Sequence, residues 1–210
     1  MFRWMILKEG ERVKYRFTET EVKKLLKNLV IVIDTREQKN EWITSYLGKK
    51  KIKYEVQKVD EGDYGCYIES NADTKPLGVL RDWYFTDNVV VERKNSVDEL
   101  IGSIKDRDRF EDEFNRAIAK GIKIFMIVED ANGYENIING NYRSQYLPQS
   151  FNASLETFIS RYKLDVNFID KKYTAYKIYN IMKYHVRDIL VRKGFFPDYT
   201  ENEVLEDGGF

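Results

Sequence analysis

The stretch Val89-Val90-Val91-Glu92-Arg93-Lys94-Asn95-Ser96-Val97-Asp98 decides how this chain is read. A β-branched apolar run passes directly into Glu-Arg-Lys, and Asp98 follows four residues after Lys94. Side chains on a strand alternate between faces, so Glu92 and Lys94 share one face and Arg93 points to the other. One face then carries a carboxylate suited to a hard divalent cation, beside an amine able to handle a proton. Hydrolysis of a phosphodiester needs that pairing: an ion to neutralise phosphate charge, and a group to orient or deprotonate water.

Upstream, Leu29 to Ile33 is a second apolar run, and it ends in Asp34 within Asp34-Thr35-Arg36-Glu37. Ile52, Tyr54 and Val56 alternate with polar residues, a strand pattern, and lead on to Gly62-Asp63-Tyr64. Three strand-like segments are therefore expected to deliver Asp34, Asp63 and Glu92 at or just past their C-terminal ends. Functional groups of open α/β sheets gather outside the carboxyl ends of strands. The three acids and Lys94 are expected to converge there as a Mg²⁺ or Mn²⁺ site.

This ordered set resembles the XPF-type nuclease domain, a branch of the PD-(D/E)xK nuclease superfamily, whose signature is GD, a variable gap and ERKxxxD. The resemblance runs over about residues 29–193. It takes in Ser103-Ile104-Lys105-Asp106, Arg109-Phe110, and Glu129 after the apolar run Ile122 to Val128. Glu69 to Asp87 stands as an insertion longer than the pattern asks for. What the resemblance implies is a metal-dependent endonuclease that hydrolyses DNA, at branched or flap structures. Asp63 and Glu92 would ligate the metal, and Asp34 would be a ligand, directly or through water, or a supporting acid. Lys94 would orient or activate the attacking water, and Asp98 joins the catalytic candidates. Arg36, Arg93 and Arg109 are candidates for contacts with DNA phosphates or for bracing the acids. A catalytically silent DNA-binding subunit is the alternative, against which the intact Asp63, Glu92 and Lys94 argue. A protein-interaction module is another.

Composition agrees with one nuclease domain over residues 29–196, preceded by an extension (1–28) and followed by an acidic tail (197–210) expected to be poorly ordered. The 210 residues are 42% hydrophobic and 33% charged, enough for a core without staples. No apolar run has membrane-spanning length, and no signal-peptide pattern is present. Cys66 is the single cysteine, so an internal disulfide framework and a Cys-based zinc site are excluded and an intracellular location is the default. No phosphate-binding GxxxxGK[ST] loop is found, so no nucleotide cofactor is expected. Net charge is zero, but Lys171, Lys172, Lys177, Lys183, Arg187, Arg192 and Lys193 face only Asp188, a local patch suited to DNA.

Element by element, residues 2–17 read as a hairpin and Thr18 with Glu21 as a capping box. Helices are expected near 40–47, after Ser96 with Glu99 as a second capping box, over the Phe110, Phe114, Ala117 stripe, over 151–162 and over 174–193. Asp98 would sit in a first helical turn, where acids favour the helix dipole. Residues 130–150 read as a polar connection, and Trp83-Tyr84-Phe85 as aromatics packed on the domain, with stacking on unpaired bases as their other use. Strands alternating with helices predict a three-layer α/β sandwich around a mixed, largely parallel sheet, restriction-endonuclease-like. The last helix carries Tyr176, Tyr179, Met182 and Tyr184, more apolar and aromatic surface than one sheet face needs. A homodimer through it is expected. Branch specificity would come from that pairing, the insertion, the extension or a protein partner.

Overall fold

The computed structural model describes residues 16–192. The predicted hairpin (all but its last two residues) and the tail lie outside the described residues. Seven strands form one sheet: β1 (Leu29–Ile33), β2 (Lys53–Val56), β3 (Tyr64–Ile68), β4 (Trp83–Tyr84), β5 (Val89–Lys94), β6 (Lys123–Val128) and β7 (Asp165–Phe168). Their order is β2-β1-β3-β5-β6-β7, with β4 paired to β3. The β1–β2, β5–β6 and β6–β7 pairs are parallel; β3 runs antiparallel to β1 and to β5. β1 is the continuous apolar run Leu-Val-Ile-Val-Ile, buried at every position, as a strand covered on both faces requires.

Seven α-helices cover the sheet: α1 (Glu19–Lys27), α2 (Glu41–Lys49), α3 (Val97–Lys105), α4 (Arg107–Ala119), α5 (Gly133–Asn139), α6 (Pro148–Tyr162) and α7 (Thr174–Arg192). Helices α1, α2 and α7 pack on one side, where Leu25, Ile43, Leu47, Ile178 and Met182 meet Ile31, Ile33 and Val91. Helices α3 to α6 cover the other, where Leu100, Phe110, Phe114, Phe151 and Phe158 meet Val90, Met126 and Val128. The result is the expected α/β sandwich with a mixed, mostly parallel sheet. The Thr18–Glu21 capping box forms, its two side-chain bonds meeting orphan backbone donors of α1.

Four local expectations change. Asp63 does not end β2; it precedes β3, across a loop from Val56. Because β3 runs against its neighbours, its start lies at the same edge as the ends of β1 and β5. Ser96 caps α3 by accepting from Glu99 N–H, but Glu99 reaches back to Asn95 N–H at 3.0 Å, so the second capping box is shifted by one residue. The polar connection contains α5, whose short pattern hid it; Gly140, at φ 71°, closes it with the left-handed cap that glycine favours. In the insertion, Phe85 is fully buried and Trp83 packs against the core, whereas Tyr84 stays exposed and stacks on Tyr67 at 4.9 Å.

Candidate active site

The edge shared by β1, β3 and β5 is stitched by backbone bonds. Asp34 N–H donates to Asp63 C=O at 2.8 Å, and Asp63 N–H donates to Val91 C=O at 2.9 Å. Gly62 makes this approach possible. Its φ is 75°, and a Cβ there would lie 2.9 Å from Val90 Cβ, so only glycine fits before Asp63. The edge opens into a cleft of about 480 Å³ lined by Asp63, Glu92 and Lys94 together with residues of α3 and α4.

Strand alternation sorts Glu-Arg-Lys as expected. Glu92 and Lys94 share the cleft face, with Lys94 Nζ donating to Glu92 Oε1 at 2.7 Å. Burial works against the Lys94 charge, but Glu92 outweighs it and holds the ammonium above its ordinary range. Asp63 Oδ2 accepts from Arg93 N–H at 2.7 Å, which leaves Oδ1 with no protein donor. Burial, with Glu92 and Glu37 as nearby like charges, raises the Asp63 carboxyl well above the usual carboxylate range.

Arg93 turns the other way and is buried. Its guanidinium donates to Glu37 Oε1, to Glu129 Oε2 at 3.1 Å and to Gln38 C=O at 3.2 Å, and lies 5.1 Å from the Trp42 ring centroid. These bonds describe bracing of the acids, one of the two uses expected of Arg93. Glu37 is further fixed by Tyr64 Oη at 2.9 Å.

Asp34 is likewise a brace. Oδ1 accepts from Arg36 N–H and Nε, and Oδ2 from Val59 N–H at 2.6 Å, so both oxygens are taken and the carboxylate does not line the cleft. Burial opposes its charge, the bonds outweigh burial, and its pKa is lowered. These bonds describe a supporting acid, one of the roles expected for Asp34. Asp98 is also outside the cleft. It accepts from Arg143 N–H and Nε, both at 2.8 Å, on the first turn of α3. Arg36 and Arg109 do line the cleft and are largely exposed, though each is paired, with Asp34 and Asp106.

Sequence reasoning missed Glu61, Glu113 and Arg116, which also line the cleft. Glu61 is buried and accepts from Arg116 and Lys120, each at 3.2 Å. Arg109, Glu113 and Arg116 recur at helical spacing on α4, flanking the core stripe of Phe110, Phe114 and Ala117; that polar stripe was the available signal.

Whether the cleft suits a divalent cation is a question of donors. Among the described residues no group of three or more His, Cys, Asp or Glu forms a metal cage. Mg²⁺ does not need one: it keeps several waters and is held by one or two carboxylates and by substrate phosphate. Asp63 and Glu92 each retain one oxygen without a protein donor, and their mutual repulsion is relieved by a cation. The residues present fit Mg²⁺ or Mn²⁺.

A model of the ERCC4 domain matches residues 33–181. No curated protein matches the chain. Among solved structures it is similar to XPF from Aeropyrum pernix, with 21% identity and a TM-score of 0.50 over 73% of this chain and 65% of that one. It is also similar to XPF from Aeropyrum pernix in complex with DNA, with 20% identity and a TM-score of 0.52 over 75% of this chain and 65% of that one. At these identities the likeness is one of fold, and the chain spans about 65% of those proteins' length.

Proposed function

The chain belongs to the ERCC4 domain family, a family of DNA nucleases, and from that premise we propose that it is a divalent-metal-dependent endonuclease hydrolysing DNA phosphodiesters at branched or flap structures. The observation that carries this reading is the gathering of Asp63, Glu92 and Lys94 in one cleft. Asp63 and Glu92 would hold Mg²⁺ or Mn²⁺. When bound, the ion supplies charge neutralisation on the scissile phosphate and lowers the pKa of water. Lys94 stays protonated beside Glu92, so it works as a donor that orients the attacking water or a phosphate oxygen rather than as a base. Arg36, Arg109 and Arg116 on the rim meet the DNA backbone by exchanging carboxylate partners for phosphate. Asp34 and Arg93 keep the cleft edge in place.

Pairing of two chains belongs to the same proposal. Beside α7 runs a groove of about 450 Å³ lined by Phe125, Ile181, Tyr184 and His185, with Lys177, Asp188 and Arg192 at its margins. Apolar centre, charged rim and both signs of charge suit a self-complementary interface. No described helix is long and apolar enough to cross a membrane.

The test is a panel of labelled flap, fork, splayed, four-way and plain duplex DNA with Mg²⁺ or Mn²⁺. Metal-dependent cutting of branched forms that Glu92→Gln abolishes is the expected result. Salt-sensitive binding without cutting would instead favour the silent subunit. Sedimentation at micromolar concentration should give twice 25.0 kDa; a monomer mass, with and without DNA, would remove the dimer.

A further inference from the structure

Nearly every acid of the cleft has a protein partner. Glu37 accepts from Tyr64 and Arg93, Glu61 from Arg116 and Lys120, Asp63 from Arg93 N–H, Glu92 from Lys94, and Glu99 from Asn95 N–H. Among the described residues two acids of the cleft depart from this, Asp60 and Glu113. Asp60 is exposed and water satisfies it. Glu113 is half-buried, so its carboxylate is partly stripped of water and has no hydrogen bond or ion pair in return.

The cations around Glu113 are already committed. Lys94 is bonded to Glu92, Arg109 to Asp106 and Arg116 to Glu61. The side chain is held on the cleft wall by α4, whose adjacent stripe is locked in the core through Phe110 and Phe114. Helix α4 therefore holds in the cleft a half-buried carboxylate that Glu92 repels and that Lys94, Arg109 and Arg116 attract without bonding it. A residue there of similar length without charge, such as Gln, would cost the fold less.

We propose that Glu113 is a positioning residue for the divalent cation, a third carboxylate that meets the ion of Asp63 and Glu92 through the ion's retained water. This rests on the metal-dependent reading above and extends it to a residue outside the Glu-Arg-Lys motif. It agrees with the absence, among the described residues, of a closed three-acid cage. An ion that keeps several waters needs acceptors for their protons, and an outer carboxylate supplies one without direct ligation. Its charge also deepens the attraction of the cleft for a cation over that of two carboxylates alone.

Isothermal titration calorimetry of the full chain with Mg²⁺ and with Mn²⁺, without DNA, tests this. Glu113→Gln is expected to weaken binding about 10-fold, the lower end of what outer partners of metal ligands contribute, and Glu113→Asp to recover part of it. Thermal unfolding gives a second readout. Without metal the Gln variant should melt no lower than the parent chain, since a carboxylate facing Glu92 is gone; with saturating Mg²⁺ it should gain less. Glu111→Gln, on the side of α4 that pairs with Arg107 and Arg161, serves as the control and should bind metal as the parent does. Unchanged metal affinity in Glu113→Gln overturns the proposal, as does a metal-free variant that melts well below the parent, which would make Glu113 a structural residue. Should the parent chain bind neither ion and cut no DNA in the presence of either, the metal-dependent reading itself falls; should the parent bind and cut while Glu113→Gln binds equally, only the role of Glu113 falls.

Discussion

Strand β5 has two faces that are polar in opposite ways. Toward α2 and α7, Arg93 is buried among Glu37, Glu129, Gln38 C=O and the Trp42 ring, and each of its nitrogens has an acceptor. Toward α3 and α4, Asp63, Glu92 and Glu113 share one cleft, where Glu92 repels both of the other carboxylates. One face satisfies every guanidinium nitrogen of Arg93 and holds the strand in place, although Trp42 Nε1 and Glu129 Oε1 beside it are buried without a hydrogen bond. The other is a cluster of like charges that a proton or a cation relieves. The contrast teaches that charge in this motif is split by strand alternation into a part that stabilises and a part that works.

Removing the satisfied face should have the largest effect on the fold. Arg93→Ala leaves Glu37 and Glu129 buried without their cation, and should cost about 3–5 kcal/mol, read as a drop in the denaturant midpoint. Arg93→Lys should recover little, because an ammonium cannot reproduce the planar fork. A variant as stable as the parent would break the comparison.

The like-charged face should respond in the opposite direction. Asp63→Asn should take cleavage below detection while raising the metal-free melting temperature. The Asn oxygen still accepts from Arg93 N–H, and a carboxylate pushed above its usual range is gone. Such a carboxylate costs more stability as pH rises from its unfolded value toward its raised folded value, so the gain should grow with pH and vanish in acid. If the variant is both inactive and less stable, Asp63 belongs with the bracing residues.

Asp34 sharpens the comparison because it lies near the cleft but is satisfied. Asp34→Asn should cost about 2 kcal/mol at neutral pH, through weaker bonds to Arg36 and Val59 N–H. The folded carboxyl has a lowered pKa, so its contribution is present above the ordinary carboxylate range and lost as pH falls through the folded value. Urea melts of parent and variant should therefore converge below about pH 4. A gap that persists in acid would assign the effect to packing.

The smallest effect belongs to Arg143→Ala. Its pair with Asp98 is solvent-exposed and should contribute less than about 1 kcal/mol. The cleavage rate should not change; a loss matching that of Asp63→Asn would place Asp98 in the catalytic group.

Much of this was legible in the chain. Leu29 to Ile33 and Val89 to Val91 read as buried strands because β-branched runs and their periodicity are local properties. Thr18 with Glu21 read as a helix start because a cap bond spans three residues. Glu92 and Lys94 read as neighbours because strand alternation puts them on one face. Less was legible where no local period reports the answer. The seven residues of α5 are too few to show a helical stripe among Asn and Gly. The strand alternation of Ile52 to Val56 says nothing about where Asp63 will start the next strand.

By itself, then, the sequence determined the strands, the helix starts and the shared face of Glu92 and Lys94, since these depend on neighbours a few positions apart. Only the tertiary structure decided which acids meet. The reversal of β3 brings Asp63 to the ends of β1 and β5. Arg36 and Arg143 withdraw Asp34 and Asp98 from the cleft, and α4 brings Glu113 into it. The physical reason is that a charged side chain is assigned by the nearest partner in space, and those partners come from segments whose separation along the chain says nothing of their distance.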